Sequence, residues 1–216
     1  MPVVAENSES SRLNELPSAV SSGLKTEWAP FTTVTSAFYS HSEHLNSTEI
    51  AVWDLSDDRT LTYQDLASRA ENLAKHLESI GVGRGWKIPL VATRGLESVI
   101  AILAVLSCGA QFIPVDYEIR SSEYLRNTVE WSGQNAVQRG ENVVVLSVSP
   151  LTDDILSRVF PPPSPVTVVG VYSTNTQPPN VKDEGSPYFN VATADDVCYT
   201  VFTSGMSPGG VSRERI

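Results

Sequence analysis

The residues best suited to chemistry lie near the end of the 216-residue chain. An apolar, β-branched run, Val197-Cys198-Tyr199-Thr200-Val201-Phe202, gives way at once to Thr203-Ser204-Gly205-Met206-Ser207-Pro208-Gly209-Gly210. That order predicts a strand delivering a turn that can cradle phosphate. Glycines let backbone N–H groups converge on an anion, and hydroxyls add further donors. The candidate phosphate contacts are Thr203, Ser204, Gly205, Ser207, Gly209 and Gly210. No catalytic residue and no metal ligand is assigned. A plain surface turn is the competing reading, and a serine nucleophile is set aside because the segment is read as holding no Gly-x-Ser-x-Gly elbow and no partner base is identifiable.

The bulk properties narrow the partners. A formal charge of −10 without a basic stripe argues against nucleic acid and anionic membrane surfaces. The 41% apolar content is ordinary for a globular chain and can fill a core. Cys108 and Cys198 sit far apart inside apolar segments, which reads as buried thiols in a reducing compartment. Met1-Pro2-Val3-Val4-Ala5-Glu6 lacks the basic start and apolar run of a signal peptide, so the expected location is cytoplasmic. The longest apolar stretch, Val99 to Leu106, is far too short to span a bilayer.

The elements that must position the turn follow from periodicity. Residues 1–35, rich in Ser, Glu and Asn, read as a flexible leader. A helix is expected around Phe38 and Tyr39, then a strand over Glu49–Asp54. Thr62 is placed to cap a helix with Asp65 three positions on, and Leu66, Ala67, Ala70, Leu73, Ala74 and Leu77 follow helical spacing. Gly81 and Gly83 end that helix. Lys87–Ala92 reads as a strand, although Pro89 argues against a central position. A buried helix from Leu96 closes at Gly109, a strand covers Gln111–Val115, and a helix opens at Ser121-Ser122 and runs to about Trp131. Asn142–Ser147 and Val166–Val171 read as buried parallel strands, with a short helix from Thr152 to Phe160 between them. A polar loop over Ser173–Asn190 precedes the last strand. Alternating strands and helices imply an α/β fold with a mostly parallel sheet and flanking helices.

Three segments, in order, resemble core motifs of the adenylate-forming superfamily, which includes acyl-CoA synthetases, luciferases and the adenylation domains of nonribosomal peptide synthetases. Leu61-Thr62-Tyr63-Gln64-Asp65-Leu66 resembles L-T-Y-x-E-L. Val105-Leu106-Ser107-Cys108-Gly109-Ala110-Gln111-Phe112-Ile113-Pro114-Val115-Asp116 resembles L-K-A-G-x-A-Y-V-P-I-D, in its peptide-synthetase form. Tyr199 to Gly205 resembles the strand and opening of Y-T-S-G-T-T-G-x-P-K-G. The resemblance covers residues 36–216 and implies the N-terminal part of the large subdomain of an AMP-binding (adenylation) domain. It implies ATP and Mg²⁺, a carboxylic or amino acid substrate, a phosphopantetheine or CoA thiol as acceptor, and a carrier domain as partner.

The chain departs from that pattern in its loop. After Thr203-Ser204-Gly205 stand Met206-Ser207-Pro208-Gly209-Gly210, about two residues fewer than the family's T-T-G-x-P-K-G, with Gly209 near the place of the lysine. The family's adenine pocket, ribose-binding aspartate, hinge and catalytic lysine belong to later motifs. The expectation is therefore a truncated carboxylate-activating ligase that is inactive alone, with a noncatalytic pseudoenzyme or partner-binding remnant as the alternative. A sheet ending at its last parallel strand is also expected to leave an open edge.

Several other motifs carry bland readings. Gly81-Val82-Gly83-Arg84-Gly85 follows a helix rather than a strand, so it reads as a helix end and not a dinucleotide loop. His41, His44 and His76 read as surface or packing residues, and Trp28, Trp53, Trp86 and Trp131 as packing anchors.

Overall fold

The computed structural model describes residues 31–44, 48–116, 122–138, 142–151, 159–160, 166–171, 188–202 and 211–215. The leader expected over 1–35 lies outside them up to residue 30, as do most of the short helix expected over 152–160 and of the polar loop over 173–190. Four helices are described: α1 (Val34–His44), α2 (Tyr63–Ser79), α3 (Leu96–Ser107) and α4 (Ser122–Gln138). The strands are β1 (Ile50–Asp54), β2 (Arg59–Thr62), β3 (Lys87–Ala92), β4 (Gln111–Asp116), β5 (Val143–Ser147), β6 (Val166–Gly170), β7 (Val197–Phe202) and β8 (Val211–Arg215). Strands β1 and β2 form a separate antiparallel hairpin, and the main sheet runs β6-β5-β3-β4-β7-β8. Its first five strands are parallel, and β8 is antiparallel to β7.

Period-two alternation sorts the core onto two faces. Ile88, Leu90, Val144 and Leu146 point toward α2 and α3 and join Leu73, Leu77, Ile100 and Ala104. Val91, Val115, Val143 and Val145 point the other way, onto Leu125 and Val129 of α4. A strand covered on both faces has no polar side, which is why β5 is buried at every residue. Strand β6, expected to be buried, is instead a sheet edge, and Val168 is half-exposed there.

Helix α2 starts as its sequence requires. The Thr62 hydroxyl accepts the Asp65 N–H at 3.1 Å and donates to the Asp65 carboxylate at 2.8 Å. All six expected apolar positions of α2 are buried. Helices α2 and α3 end alike: Gly81 N–H donates to Glu78 O and Val82 N–H to Leu77 O, while Gly109 N–H donates to Leu106 O and Ala110 N–H to Val105 O. Both glycines have positive φ, +91° and +67°, as this cap demands. The cap turns the chain sharply back toward β3 and β4.

Three further expectations are corrected. Pro89 occupies the central strand β3 after all, and the sheet accommodates it. Trp86 O accepts from Gln111 of β4, and Val91 O accepts from Val148 beside β5. By alternation, the N–H that Pro89 lacks would face β5, and there pairing is limited to Leu90↔Leu146 and Val91↔Ser147. Helix α4 runs past Trp131 because Ser132-Gly133 is not a stop: a Cβ at Gly133 would meet Val143 Cγ2 at 2.6 Å, so the glycine admits close approach of α4 to β5. Finally, β7 is not the open edge. Strand β8, unforeseen because its sequence Val-Ser-Arg-Glu-Arg has little β character, pairs along it from Phe202↔Val211 to Val197↔Arg215. Charged sequence of this kind is what edge strands use against further pairing.

Gly133→Ala sets two effects against each other. Helix propensity favours alanine by about 1 kcal/mol, whereas overpacking against a β-branched neighbour costs about 1–3 kcal/mol. The clash wins, and thermal unfolding should show a Tm lowered by a few degrees; an unchanged or higher Tm would contradict the close approach.

Candidate functional site

The carboxyl ends of the five parallel strands share one edge of the sheet. The pairs Val91↔Val115, Val91↔Ser147 and Ser147↔Gly170 define a row across it. Phe202 joins that row by extension from Phe112↔Tyr199. Residues 203–210 therefore leave from the carboxyl edge, beside the end of β4. Open α/β sheets bind ligands at this edge. All six candidate phosphate contacts, Thr203, Ser204, Gly205, Ser207, Gly209 and Gly210, lie outside the described residues. What the structure describes is their stem and its neighbours. Thr93, Arg94 and Gly95 follow β3, with Arg94 exposed. Ser147 is buried at the end of β5 and donates to Ser149 O at 2.6 Å.

The stem is held mainly by side chains. Gln111 N–H faces β3, so the N–H that Pro114 lacks would face β7, and β4 and β7 share a single pair, Phe112↔Tyr199. The gap is filled by the buried Thr200 hydroxyl, which donates to Gln111 Oε1 at 2.6 Å. The Phe112 and Tyr199 rings stack at 5.7 Å. Phe202 sets its ring edge-to-face against Trp131 of α4 at 5.3 Å and Tyr124 at 6.5 Å. Lys87 Nζ lies 3.9 Å from the Trp131 ring centroid. Sequence reasoning missed this set. The one signal was a polar Thr200 and a polar Gln111 inside apolar strands, and nothing in a linear chain pairs residues 89 apart.

Residues 188–196 form a strap leading into β7. Tyr188 stacks on Tyr39 at 4.7 Å, and Asn190 Oδ1 accepts from the Thr35 hydroxyl at 3.1 Å. Phe189 N–H donates to Glu71 Oε1, Val191 N–H to Ser107 O, and Arg84 Nη2 to Val191 O. Asp196, buried, accepts from the Thr193 N–H and hydroxyl, with Arg84 Nε at 3.4 Å. The strap thus crosses α1, α2 and α3 before β7 begins. At the far side, Arg59 of β2 forks onto both oxygens of Glu97 on α3, at 2.7 and 3.2 Å, and also contacts Asp57. This pins the β1–β2 hairpin to α3. The guanidinium beside it holds Glu97 below the usual carboxylate range. With Arg59 half-exposed the pair contributes about 0–1 kcal/mol, so it orients more than it stabilises.

The motifs read as bland are placed as follows. His41, His44 and His76 are exposed on α1 and α2. Gly81–Gly85 is the end of α2 and the approach to β3. Trp53 is not a packing anchor: it is 58% exposed, with Nε1 donating to Asp58 Oδ1 at 2.9 Å. The expectation of no Gly-x-Ser-x-Gly elbow is corrected by the sequence itself, since Gly205-Met206-Ser207-Pro208-Gly209 has that spacing. An elbow turns from strand into helix, whereas this segment joins the antiparallel strands β7 and β8.

Comparison with known proteins matches this architecture. A family model described as AMP-binding enzyme matches residues 40–206. The nonribosomal peptide synthetase sirP of Leptosphaeria maculans is 27% identical over 161 residues, covering 71% of this chain and 7% of that protein. The crystal structure of the nonribosomal peptide synthetase FmoA3 with α-methyl-L-serine-AMP bound superposes with a TM-score of 0.63 at 21% identity, over 88% of this chain and 19% of that one. A fatty acyl-adenylate ligase from L. pneumophila, in complex with acyl adenylate and pyrophosphate, gives a TM-score of 0.59 at 19% identity, over 85% of this chain and 30% of that one. The chain spans under a tenth of the length of sirP.

Burial of Tyr39 beneath the strap and of Cys108 at the end of α3 has a measurable consequence. It pushes the Tyr39 phenol up to about 12, against an opposing hydrogen bond at 3.0 Å to the Ser107 hydroxyl, and the Cys108 thiol up to about 12. Raised values mean the folded state holds these protons more tightly than the unfolded chain. The stability they contribute is complete below the unfolded values, 9 for the thiol and 10 for the phenol, and is lost as pH rises toward 12. Urea midpoints should fall across that window, and less steeply in Tyr39→Phe. Cys198, expected to be buried, is only half-buried on β7, so Ellman's reagent should titrate that one thiol in native buffer and Cys108 only in denaturant; two fast thiols would place Cys108 wrongly.

Proposed function

The chain belongs to the AMP-binding enzyme family, and from that premise we propose that it is the amino-terminal portion of a carboxylate-activating adenylation domain of the peptide-synthetase kind. Adenylate formation is the chemistry at the level of the family. The observation that supports its place in this chain is a hydroxyl- and glycine-rich segment leaving the carboxyl edge of a parallel sheet, between β7 and β8, behind the two other motifs in order.

In this reading a carboxylate attacks the α-phosphorus of ATP, giving an acyl-adenylate and pyrophosphate, and a thiol then attacks the acyl carbon, breaking the acyl–phosphate bond to form a thioester and release AMP. The obstacle is the approach of two anions. Hydroxyls of Thr203, Ser204 and Ser207, with backbone N–H groups at Gly205, Gly209 and Gly210, are the donors this chain brings to the phosphates. The donor set fits phosphate oxygens in kind. Mg²⁺ supplies charge neutralisation when bound. Among the described residues no cluster of three or more His, Cys, Asp or Glu side chains could hold a metal. Mg²⁺ needs none, since one or two carboxylates and the phosphates themselves suffice. A carboxylic or amino acid substrate, a phosphopantetheine or CoA thiol acceptor and a carrier domain belong to the same proposal. So does a cytoplasmic location; what the described helices show is that none is long and apolar enough to cross a membrane.

The 216 residues are proposed not to complete the reaction alone. Gly209 stands near the place where the family's loop carries lysine, so the cation is missing. Losing one charge-assisted contact costs about 1.5–3 kcal/mol. That same absence supports the second reading, a noncatalytic remnant that binds a partner. Calorimetric titration with Mg-ATP separates the two. The first reading expects weak binding that Gly209→Lys tightens about tenfold or more; the second expects none in either protein. Robust ATP–pyrophosphate exchange by the chain itself, across carboxylic and amino acid substrates, would refute the proposed inactivity.

A further inference from the structure

Apolar side chains left outside the core gather on one side of the β1–β2 hairpin, and the cause is the register of its two strands. Ile50 lies opposite Thr62 and Trp53 opposite Thr60, with a shift between Ile50 and Val52. Residues directly opposite each other share a face of an antiparallel pair. Thr60 and Thr62 alternate with Leu61, which is buried in the core beside α2 and α3. Ile50 and Trp53 therefore both stand on the outer face, although a spacing of three would put them on opposite faces of a regular strand. The extra residue between them re-aims the side chain. Ile50 is 54% exposed, Trp53 58%, and Leu55 in the adjoining turn 79%.

We propose that this outer face is a docking surface for a basic segment of a partner polypeptide. The segment would seat an apolar side chain beside Ile50 and a guanidinium or ammonium on the ring of Trp53. No residue of the phosphate-loop reading takes part.

Charge selects the occupant. Residues 49–65 carry five carboxylates, Glu49, Asp54, Asp57, Asp58 and Asp65, against a single cation, Arg59. Arg59 lies opposite Asp54 and reaches across to Glu97 of α3, so the cation serves the inner side. The outer face bears Ile50, Trp53, Thr60 and Thr62, and exposed carboxylates border it. Glu49 precedes Ile50, Asp58 accepts the Trp53 Nε1–H at 2.9 Å, and Asp65 accepts the Thr62 hydroxyl at 2.8 Å. An apolar surface in an acidic frame repels nucleic acid, anionic lipid and a second copy of itself, and attracts a cationic chain.

The face is also held in shape before anything binds. The bond to Asp58 fixes the indole by its edge and leaves ring surface open to a cation. The Arg59 fork fastens the hairpin to α3 from behind. Side chains ordered in advance lose little freedom on binding, and tryptophan is enriched among the residues that dominate interfaces.

The test titrates the isotope-labelled, full 216-residue chain with two amide-capped pentapeptides, one alternating leucine with arginine and the other leucine with glutamate. By NMR the arginine peptide should move the Trp53 indole N–H signal, which Trp53→Ser identifies by its loss, and leave those of Trp86 and Trp131 in place. Trp53→Ser should raise the Kd about tenfold or more. Asp58→Asn keeps an acceptor for the indole and suits the φ of +56° at that position. It should raise the Kd about threefold, the size of one exposed charge contact. Ile50→Ser should weaken binding as well, and the Kd should rise with added salt. All three substitutions lie at exposed positions, so Tm should stay close to that of the wild type. An unmoved Trp53 signal, undiminished binding by Trp53→Ser, or equal binding of the glutamate peptide would overturn the docking role. A dimer in sedimentation that Trp53→Ser dissolves would assign the face to a second copy and overturn it too.

Discussion

A buried strand must place every backbone N–H on an acceptor, and proline has no N–H to place. That constraint shapes the pairing of the main sheet. Pro89 withdraws a donor from the β5 side of β3, and Pro114 withdraws one from the β7 side of β4. Pairing is full between β3 and β4, where neither missing group points, and thin on both outer sides. The sheet therefore has a strong centre and two weak seams. Each seam is made good by side chains: apolar burial on both faces at β3 and β5, and a hydrogen bond with stacked and edge-on rings at β4 and β7.

The central strands hold because their faces are equally apolar and are covered by different helices. Ile88 and Leu90 meet α2 and α3, while Val91 and Val115 meet α4. Burial of this kind contributes about 1.5–3 kcal/mol for each large side chain, far more than the exposed Arg59 fork can. The polar contacts serve location instead. The strap over 188–196 bonds to α1, α2 and α3 in turn, so β7 is aimed before it reaches the sheet. Nothing polar is wasted along the way, for among the described residues every buried side-chain nitrogen and oxygen has a partner.

These features meet at the carboxyl edge. Strand β7 arrives from the strap, is steadied by Thr200 on Gln111, and ends at Phe202 against α4. The hairpin is joined to the rest of its sheet through one ladder pair, the bond from Thr200 to Gln111 and several rings.

Local chemistry was legible in the chain itself. The Thr62–Asp65 cap, the buried positions of α2, the glycine ends of α2 and α3, the apolar run of β5 and the motifs that resemble the adenylate-forming superfamily all depend on residues close in sequence, where propensity and spacing decide. Tertiary contact decided the rest. Pro89 could enter a central strand because only one side of the strand needs each donor. Ser132-Gly133 continued a helix because Val143 stood opposite. Val-Ser-Arg-Glu-Arg became a strand because β7 offered it an edge. Trp53 turned outward while Trp131 became a platform for Phe202. In each case the deciding partner lies elsewhere in the fold, on another strand or helix. A linear pattern records what a residue prefers, but not which neighbour will satisfy it.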